Sequence, residues 1–453
     1  MTQNEALEIL KCGYNVFLTG PAGCGKTYLL NQYIDYLRAR DVYLGITAST
    51  GIAATHINGR TIHSWCGMGI LDRMTLSQIK NLTEKEHLYQ RIRYAKVLII
   101  DEISMLNANR LDLVNSICKE FRESPLPFGG LQVVFCGDFF QLPPVTKTIK
   151  DDGRFVVESN IWQSMDLKVC YLEEQYRQED KRFLQILNDI RDNKAGAQTR
   201  TILSERLNKP IKFKIKPTKL HTHNSDVDAY NQFELARLKG EEKLFQMWRD
   251  GVPHLVESLK ESCLAPERLV LKKNTVVMFV KNNFDRGYVN GTLGIVKDFD
   301  EDSGYPLIET VYGAEIIACP EKWTIEDGHK ILASISQVPL RLAWAITVHK
   351  SQGMSLDCAE IDLSKTFEFG MGYVALSRVR SLAGIKLLGL NDMALKVSDK
   401  VIELDKRLRQ KSEQDLKEFS QLDQEQKITM QEEWVPEPEE YEEVVAEIED
   451  IPF

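Results

Sequence analysis

The chain has 453 residues, of which 43% are hydrophobic and 27% charged; this is room for about three domains of roughly 150 residues each, with the balance of a soluble globular protein. No apolar run reaches the roughly 18 residues that cross a bilayer, and the opening segment MTQNEALEILKCGYN has no basic-then-apolar leader, so membrane spans, secretory signals and transit peptides are not expected. The net charge of −9 argues against a nucleic-acid partner only until it is located: residues 431–453 hold nine Glu and one Asp and no Lys or Arg, leaving the rest of the chain at +1, a body able to carry a basic groove.

The first 165 residues alternate short apolar runs with helical patterns. NVFLTG (15–20), VYLGITA (42–48), KVLIID (96–101) and LQVVFCGD (131–138) read as buried parallel strands of a doubly wound α/β domain. The polar stretch 66–90 reads as a small insertion, with Met68, Ile70, Leu71 and Met74 as a candidate apolar tip for separating strands or as packing against the domain. A second α/β region is expected over 166–222 and 334–402. The intervening 223–333 holds short strand patterns at 269–282, 288–300 and 305–319 with turn signals at Asn290-Gly291 and Asp302-Ser303-Gly304, a small inserted β-barrel. Residues 403–453 read as a charged helix followed by an acidic, Pro-containing disordered tail. Nine cysteines form no C-x-x-C pair, which excludes zinc-ribbon and thioredoxin motifs and points to reduced thiols in a cytosolic compartment.

GPAGCGKT (20–27) fits G-x-x-x-x-G-K-[ST] between an apolar strand and a helical segment, the context a phosphate-binding loop requires. Gly23 and Gly25 let backbone N–H groups face phosphates, Lys26 reaches the β/γ-phosphates of ATP, and Thr27 offers a hydroxyl to Mg²⁺. Gly20, Ala22, Cys24 and Tyr28 complete the nucleotide-binding candidates of this segment. VLIIDEIS (97–104) ends a strand in two carboxylates; Asp101 suits Mg²⁺ and Glu102 the attacking water, the logic of a hydrolase rather than a kinase. CGDFFQLPPV (136–145) places Gln141 where it can touch the γ-phosphate or lytic water, with Pro143-Pro144 stiffening the turn and Phe139 and Phe140 either core or base contacts. Arg177 in YLEEQYRQ and Arg378 in YVALSRVR are candidate cationic fingers from a second lobe.

These segments, with TASTGIAA (47–54), RTIHSW (60–65), PFGGLQVVFCGDFFQLPPV (127–145), VNGTLGIV (289–296), LAWAITVHKSQGMSLD (342–357) and YVALSRVRS (373–381), resemble in wording and order the PIF-type DNA helicases of superfamily one, type B, relatives of RecD. The resemblance implies two RecA-like lobes with ATP between them, a wedge insertion in lobe one and a Src-homology-three-like barrel inserted in lobe two. It carries Lys26, Thr27, Asp101, Glu102, Gln141, Arg177, Gly353 and Arg378 onto the family's ATP-site positions, and Gln3 onto its adenine-reading glutamine. Thr47, Ser49, Thr50, Gly51, Thr61, His63, Phe139, His349, Lys350 and Ser351 match segments lining its single-strand track. The implied activity is ATP-driven 5′-to-3′ translocation on single-stranded and forked DNA with duplex unwinding, extending to G-quadruplexes and RNA–DNA hybrids. A monomer without membrane attachment is expected, in the cytoplasm for a bacterial or phage source and in the nucleus or mitochondrion for a eukaryotic one. A RecD-like or relaxase-linked motor subunit, a small-molecule phosphotransferase and an ATP-gated DNA clamp stay open as alternatives. Lys272, Lys273, Lys281, Arg286 and Lys297 of the barrel are candidates for closing over DNA. The terminus EVVAEIEDIPF (443–453) is similar to the acidic tip of bacterial single-stranded DNA-binding protein, which implies partners that capture an Ile-Pro-Phe end or a fold-back onto the DNA track.

Overall fold

Apolar runs without alternation become strands covered on both faces. The computed structural model describes residues 1–436, except 70, 142–154, 177–179, 212–215, 222–226, 284, 328–329, 349–350 and 352. Six strands, β1 (Val16–Thr19), β2 (Leu44–Ala48), β3 (Arg60–Thr61), β4 (Val97–Asp101), β5 (Gln132–Cys136) and β6 (Lys168–Tyr171), form a parallel sheet in the order β3-β2-β4-β5-β1-β6. Every residue of β1, β4 and β5 is buried. The order brings the carboxyl ends of β1, β4 and β5 side by side, the crevice where doubly wound sheets bind ligands. Helix α1 (Gln3–Lys11) opens with a capping box between Thr2 and Glu5, and helix α2 (Lys26–Arg38) starts directly after the Gly-rich loop. Because β6 pairs with β1, the first sheet reaches Tyr171, past the boundary expected at 165.

A second parallel sheet holds Ala345–Thr347, Thr218–His221, Ala359–Leu363 and Ile385–Leu390, in that spatial order. The chain between its first two strands builds an antiparallel ladder of Glu315–Ile317, Pro306–Thr310, Leu293–Phe299, Val276–Phe279 and Leu340–Leu342. Its own core includes Leu269, Val277, Phe279, Val296 and Ile308. The last strand of this ladder lies beyond the expected end at 333. The Asp302-Ser303-Gly304 signal is a turn closed by Ser303, whose N–H and hydroxyl both donate to Asp300.

Packing decides two regions. In the insertion, Met68 is 2% exposed and joins the lobe-one core, as do Ile79, Leu82, Leu88 and Ile92 of the helices Leu76–Thr83 and Glu86–Tyr94. The expected apolar tip therefore loses Met68 to packing; Leu71 stays exposed and Met74 half-buried, while Ile70 lies outside the described residues. The charged C-terminal sequence, for its part, is docked. Helix Asp399–Phe419 lies along β6. As the sheet's edge, β6 has backbone N–H groups without a neighbouring strand; those of Val169 and Tyr171 donate to Asp415 (2.8 Å) and to Ser412 (3.0 Å) of that helix. A second helix, Gln424–Trp434, follows, and the Trp434 ring lies under the Lys96 ammonium, 4.7 Å from it, and against Gly13.

Candidate active site

Glycine lets the loop at 20–27 curl. Gly23 and Gly25 have φ of 87° and 82°, and a Cβ on Gly25 would lie 2.1 Å from the Gln3 side chain. Gln3 donates through Nε2 to the carbonyls of Cys24 (3.3 Å) and Gly25 (3.4 Å), so it sits beside the loop. Lys26 Nζ donates to the carbonyls of Gly20 (2.9 Å) and Pro21 (3.1 Å). Gly23, Gly25, Lys26, Thr27 and Tyr28 line a cleft of ≈ 600 Å³. Gly20, Ala22 and Cys24 lie beneath its surface: they are buried, and the Ala22 N–H donates to the Tyr373 hydroxyl (3.2 Å) of lobe two. That amide is committed to the lobe interface, which corrects the expectation that Ala22 faces nucleotide.

Asp101 ends β4 and Glu102 follows it, both at the same cleft. Glu102 takes a left-handed backbone (φ 50°), rare outside glycine, and its N–H donates to Asp101 Oδ1 at 2.8 Å. The turn aims both carboxylates into the cleft. Burial raises Asp101, and burial together with the Asp101 charge pushes Glu102 up to about 7. Across the cleft stands Arg378, 1% exposed, on the helix Met371–Ser377 and its C-cap. Its Nε donates to the Val374 carbonyl (3.1 Å) and its Nη2 to Ser377 Oγ (3.0 Å), which leaves the guanidinium held from behind. Burial lowers its pKa and the Glu102 charge opposes that. Gln141 and Gly353 complete the predicted set at this cleft. Arg177 lies outside the described residues.

Sequence reasoning missed several cleft residues. Tyr176, in the same LEEQYR segment as Arg177, donates its N–H to the Gly23 carbonyl (3.0 Å) and stands over the loop. The inserted β unit also reaches the site, through Asn282, Val289, Asn290 and Tyr312. Asn290 Nδ2 is 2.9 Å from His56 Nε2 at the end of α3 (Gly51–His56), and a Cβ on Gly353 would meet the His56 ring at 2.8 Å. Asn290 was legible only as a turn residue, and His56 lies two residues past the TASTGIAA motif and carried no signal of its own.

The single-strand candidates divide. Parallel pairing of β2 with β3 sets Ala48 opposite Thr61, so Ser49, Thr50 and Gly51 lie near Thr61 and His63 at one sheet end. All five are partly exposed. Their hydroxyls also shape the chain: Thr50 caps α3, Thr61 caps the helix Ile62–Trp65, and Ser49 Oγ donates to the Glu102 carbonyl at 2.7 Å. Thr47, Ser351 and Phe139 are corrections. Thr47 is fully buried and donates to the Ile99 carbonyl (2.6 Å), stitching β2 to β4. Ser351 is fully buried and donates to the Val348 carbonyl at 2.7 Å. Phe139 is 6% exposed in an aromatic cluster with Phe17, Phe155 and Trp162. These side chains are spent on the scaffold and offer no surface to a polynucleotide. His349 and Lys350 lie outside the described residues. In the inserted unit Lys272, Lys273 and Lys297 pair with Glu242, Asp298 and Glu315, so their charges are largely answered within the chain.

A phosphate loop and paired carboxylates on one α/β lobe, faced by a buried arginine from a second, define a two-lobed P-loop nucleotide hydrolase of RecA-like fold. Comparison with known proteins narrows the class. The profile of the PIF1-like helicases matches residues 4–201, and that of the 2B domain of DNA helicase Pif1 matches residues 254–299. A Psychrobacter protein named ATP-dependent DNA helicase Pif1 is 44% identical over 94% of this chain and 73% of its own length. The Xenopus laevis ATP-dependent DNA helicase PIF1 is 37% identical over 88% of this chain, which spans only 63% of that relative. Among solved structures, Bacteroides Pif1 in complex with ADP-AlF4 matches with a TM-score of 0.78 and 30% identity over 90% of this chain and 96% of that one. A Pif1 helicase from Bacteroides in complex with ADP-AlF3 and ssDNA matches with a TM-score of 0.61 and 29% identity, over 90% of this chain and 96% of that one. The chain belongs to the PIF1-like helicase family.

Proposed function

We propose that this protein is an ATP-dependent DNA helicase that hydrolyses ATP between its two lobes to travel 5′-to-3′ along single-stranded DNA and open forked duplexes, G-quadruplexes and RNA–DNA hybrids. The observation that carries the reading is the cleft where Lys26, Asp101 and Glu102 of lobe one face Arg378 of lobe two. A transition state in phosphoryl transfer gathers charge on the γ-phosphate, and cations fixed in advance around it are the main catalytic device. Lys26 grips the phosphates. Glu102, whose proton affinity lies near neutrality, takes a proton from the attacking water. Gln141 orients that water, and Arg378 stabilises the departing charge once the lobes close. Arg177 is a second cation for the same task. Gln3 and Tyr176 flank the loop where a base would lie.

The donor set at the loop suits Mg²⁺. Thr27 offers a hydroxyl and Asp101 a buried carboxylate, and no cluster of three or more His, Cys, Asp or Glu able to hold a metal occurs among the described residues; Mg²⁺ is bound in this way, by one or two protein oxygens plus phosphates. Thr27 and Asp101 would hold it, and it would neutralise phosphate charge. For DNA, Ser49, Thr50, Gly51, Thr61 and His63 form a polar patch suited to gripping phosphate and sugar without reading sequence, with His349 and Lys350 as the counterpart on lobe two. One chain supplies both halves of the cleft, which supports a monomeric motor, and nine free cysteines support a reducing, cytoplasmic setting. No helix among the described residues is long and apolar enough to cross a membrane.

The test is an ATPase assay with and without an oligo-dT strand, beside a fork-unwinding assay. DNA stimulates hydrolysis in the parental protein, and Lys26→Ala abolishes both hydrolysis and unwinding. Hydrolysis indifferent to DNA, or unwinding that survives Lys26→Ala, overturns the reading.

A further inference from the structure

A second charged cluster, centred on Arg191 and Asp138, lies behind the cleft. Arg191 ends the helix Lys181–Arg191, which packs on the arginine-bearing helix Met371–Ser377 of lobe two. Its side chain is 3% exposed. Nη1 donates to both oxygens of Asp138, each at 3.0 Å, and to the Tyr373 hydroxyl at 3.2 Å. Nη2 donates to the Tyr171 hydroxyl (3.0 Å) and to Asp405 of the docked C-terminal helix (3.1 Å). The guanidinium also lies 3.9 Å from the centre of the Phe140 ring. Asp138 in turn shapes the segment carrying Gln141: its side chain accepts the Phe140 N–H (3.1 Å) and its carbonyl the Gln141 N–H (3.0 Å). Tyr373 accepts the Ala22 N–H of the phosphate loop and stands five residues before Arg378 on one helix.

Resting on the ATPase reading above, we propose that Arg191 is a positioning residue. From outside the cleft it fixes the phosphate loop, the Gln141 turn and the Arg378 helix in one arrangement, so that the lobes meet in register for hydrolysis. A planar guanidinium can serve these partners together because its donors leave in fixed directions. A lysine keeps the charge and loses the fork.

Arg191→Lys, Asp138→Asn and their double variant test this, assayed for DNA-stimulated hydrolysis over a range of ATP concentrations and for thermal melting. A misplacement of about 1 Å at a reacting centre costs about 10²-fold. Each single variant is therefore expected to lower kcat by about that factor while the ATP KM stays within about threefold, and the double variant to be no worse than the poorer single, since the pair acts as one unit. Two results overturn the proposal: single variants with kcat within about twofold of the parent, or losses that only track the folded fraction measured by melting. A parental protein with no DNA-stimulated hydrolysis fails the underlying reading instead, so the two failures are told apart.

Discussion

Glu102 concentrates the chemistry at the residue scale. Burial and the neighbouring Asp101 charge push its carboxyl up to about 7, on a residue held in a left-handed backbone turn. Glu102→Gln removes the proton acceptor and keeps the shape, so nucleotide binding is expected to persist while turnover falls by about 10²–10⁴-fold; equilibrium nucleotide binding beside steady-state hydrolysis checks this. Two histidines make a different prediction. Burial lowers His56 to about 4, and burial with the Arg110 charge lowers His63 to about 4, from an ordinary 6.5. Between those values the unfolded chain takes up protons that the folded one refuses, so acid favours unfolding. Their contribution is complete above pH 6.5 and is lost as pH falls through 4. The melting temperature is expected to fall over that window, and less steeply in a His56→Gln, His63→Gln variant.

At the scale of elements, the helix Asp399–Phe419 shows how a charged sequence becomes structural. Asp415 and Ser412 are buried on it because they complete the hydrogen bonds of an edge strand. Asp415→Ala leaves the Val169 N–H and the Lys168 ammonium without that partner. A cost of about 1–3 kcal/mol is expected, read as a lower midpoint in urea unfolding. The inserted β unit shows the complementary case: Gly291, at φ 96°, passes so close to lobe two that a Cβ would lie 2.5 Å from the Ser355 carbonyl, and this close approach lets Asn290 reach His56 and the cleft.

For the whole molecule, charge distribution matters more than total charge. Ten acids lie in residues 431–453 against a body of net +1. We expect a chain ending at Pro436 to bind oligo-dT more tightly at low salt, and with a steeper salt dependence, if the acidic terminus competes with DNA for the same cations. Fluorescence anisotropy across a salt series measures this. Unchanged affinity and slope exclude the competition.

The loop at 20–27, the Asp101–Glu102 pair and the parallel strands were legible because their signals are local: consecutive glycines, a strand ending in acids, apolar runs without alternation. The two-lobe plan and Arg378 rested on resemblance in motif order. Tyr176, Asn290 and His56 at the cleft, the docking of the 399–419 helix and the Arg191 cluster were not legible; Thr47 and Ser351 were carried onto the DNA track by the resemblance although they are core, and Phe139 was open between core and base contact until packing placed it in the core. Each depends on partners tens to hundreds of residues away, such as Arg191 with Asp138 and Tyr373 or Asp415 with Val169. Periodicity and spacing describe only the near neighbours of a residue. Whether a hydroxyl, ring or guanidinium faces ligand or fills the interior is decided when distant segments pack and one set of contacts excludes the other.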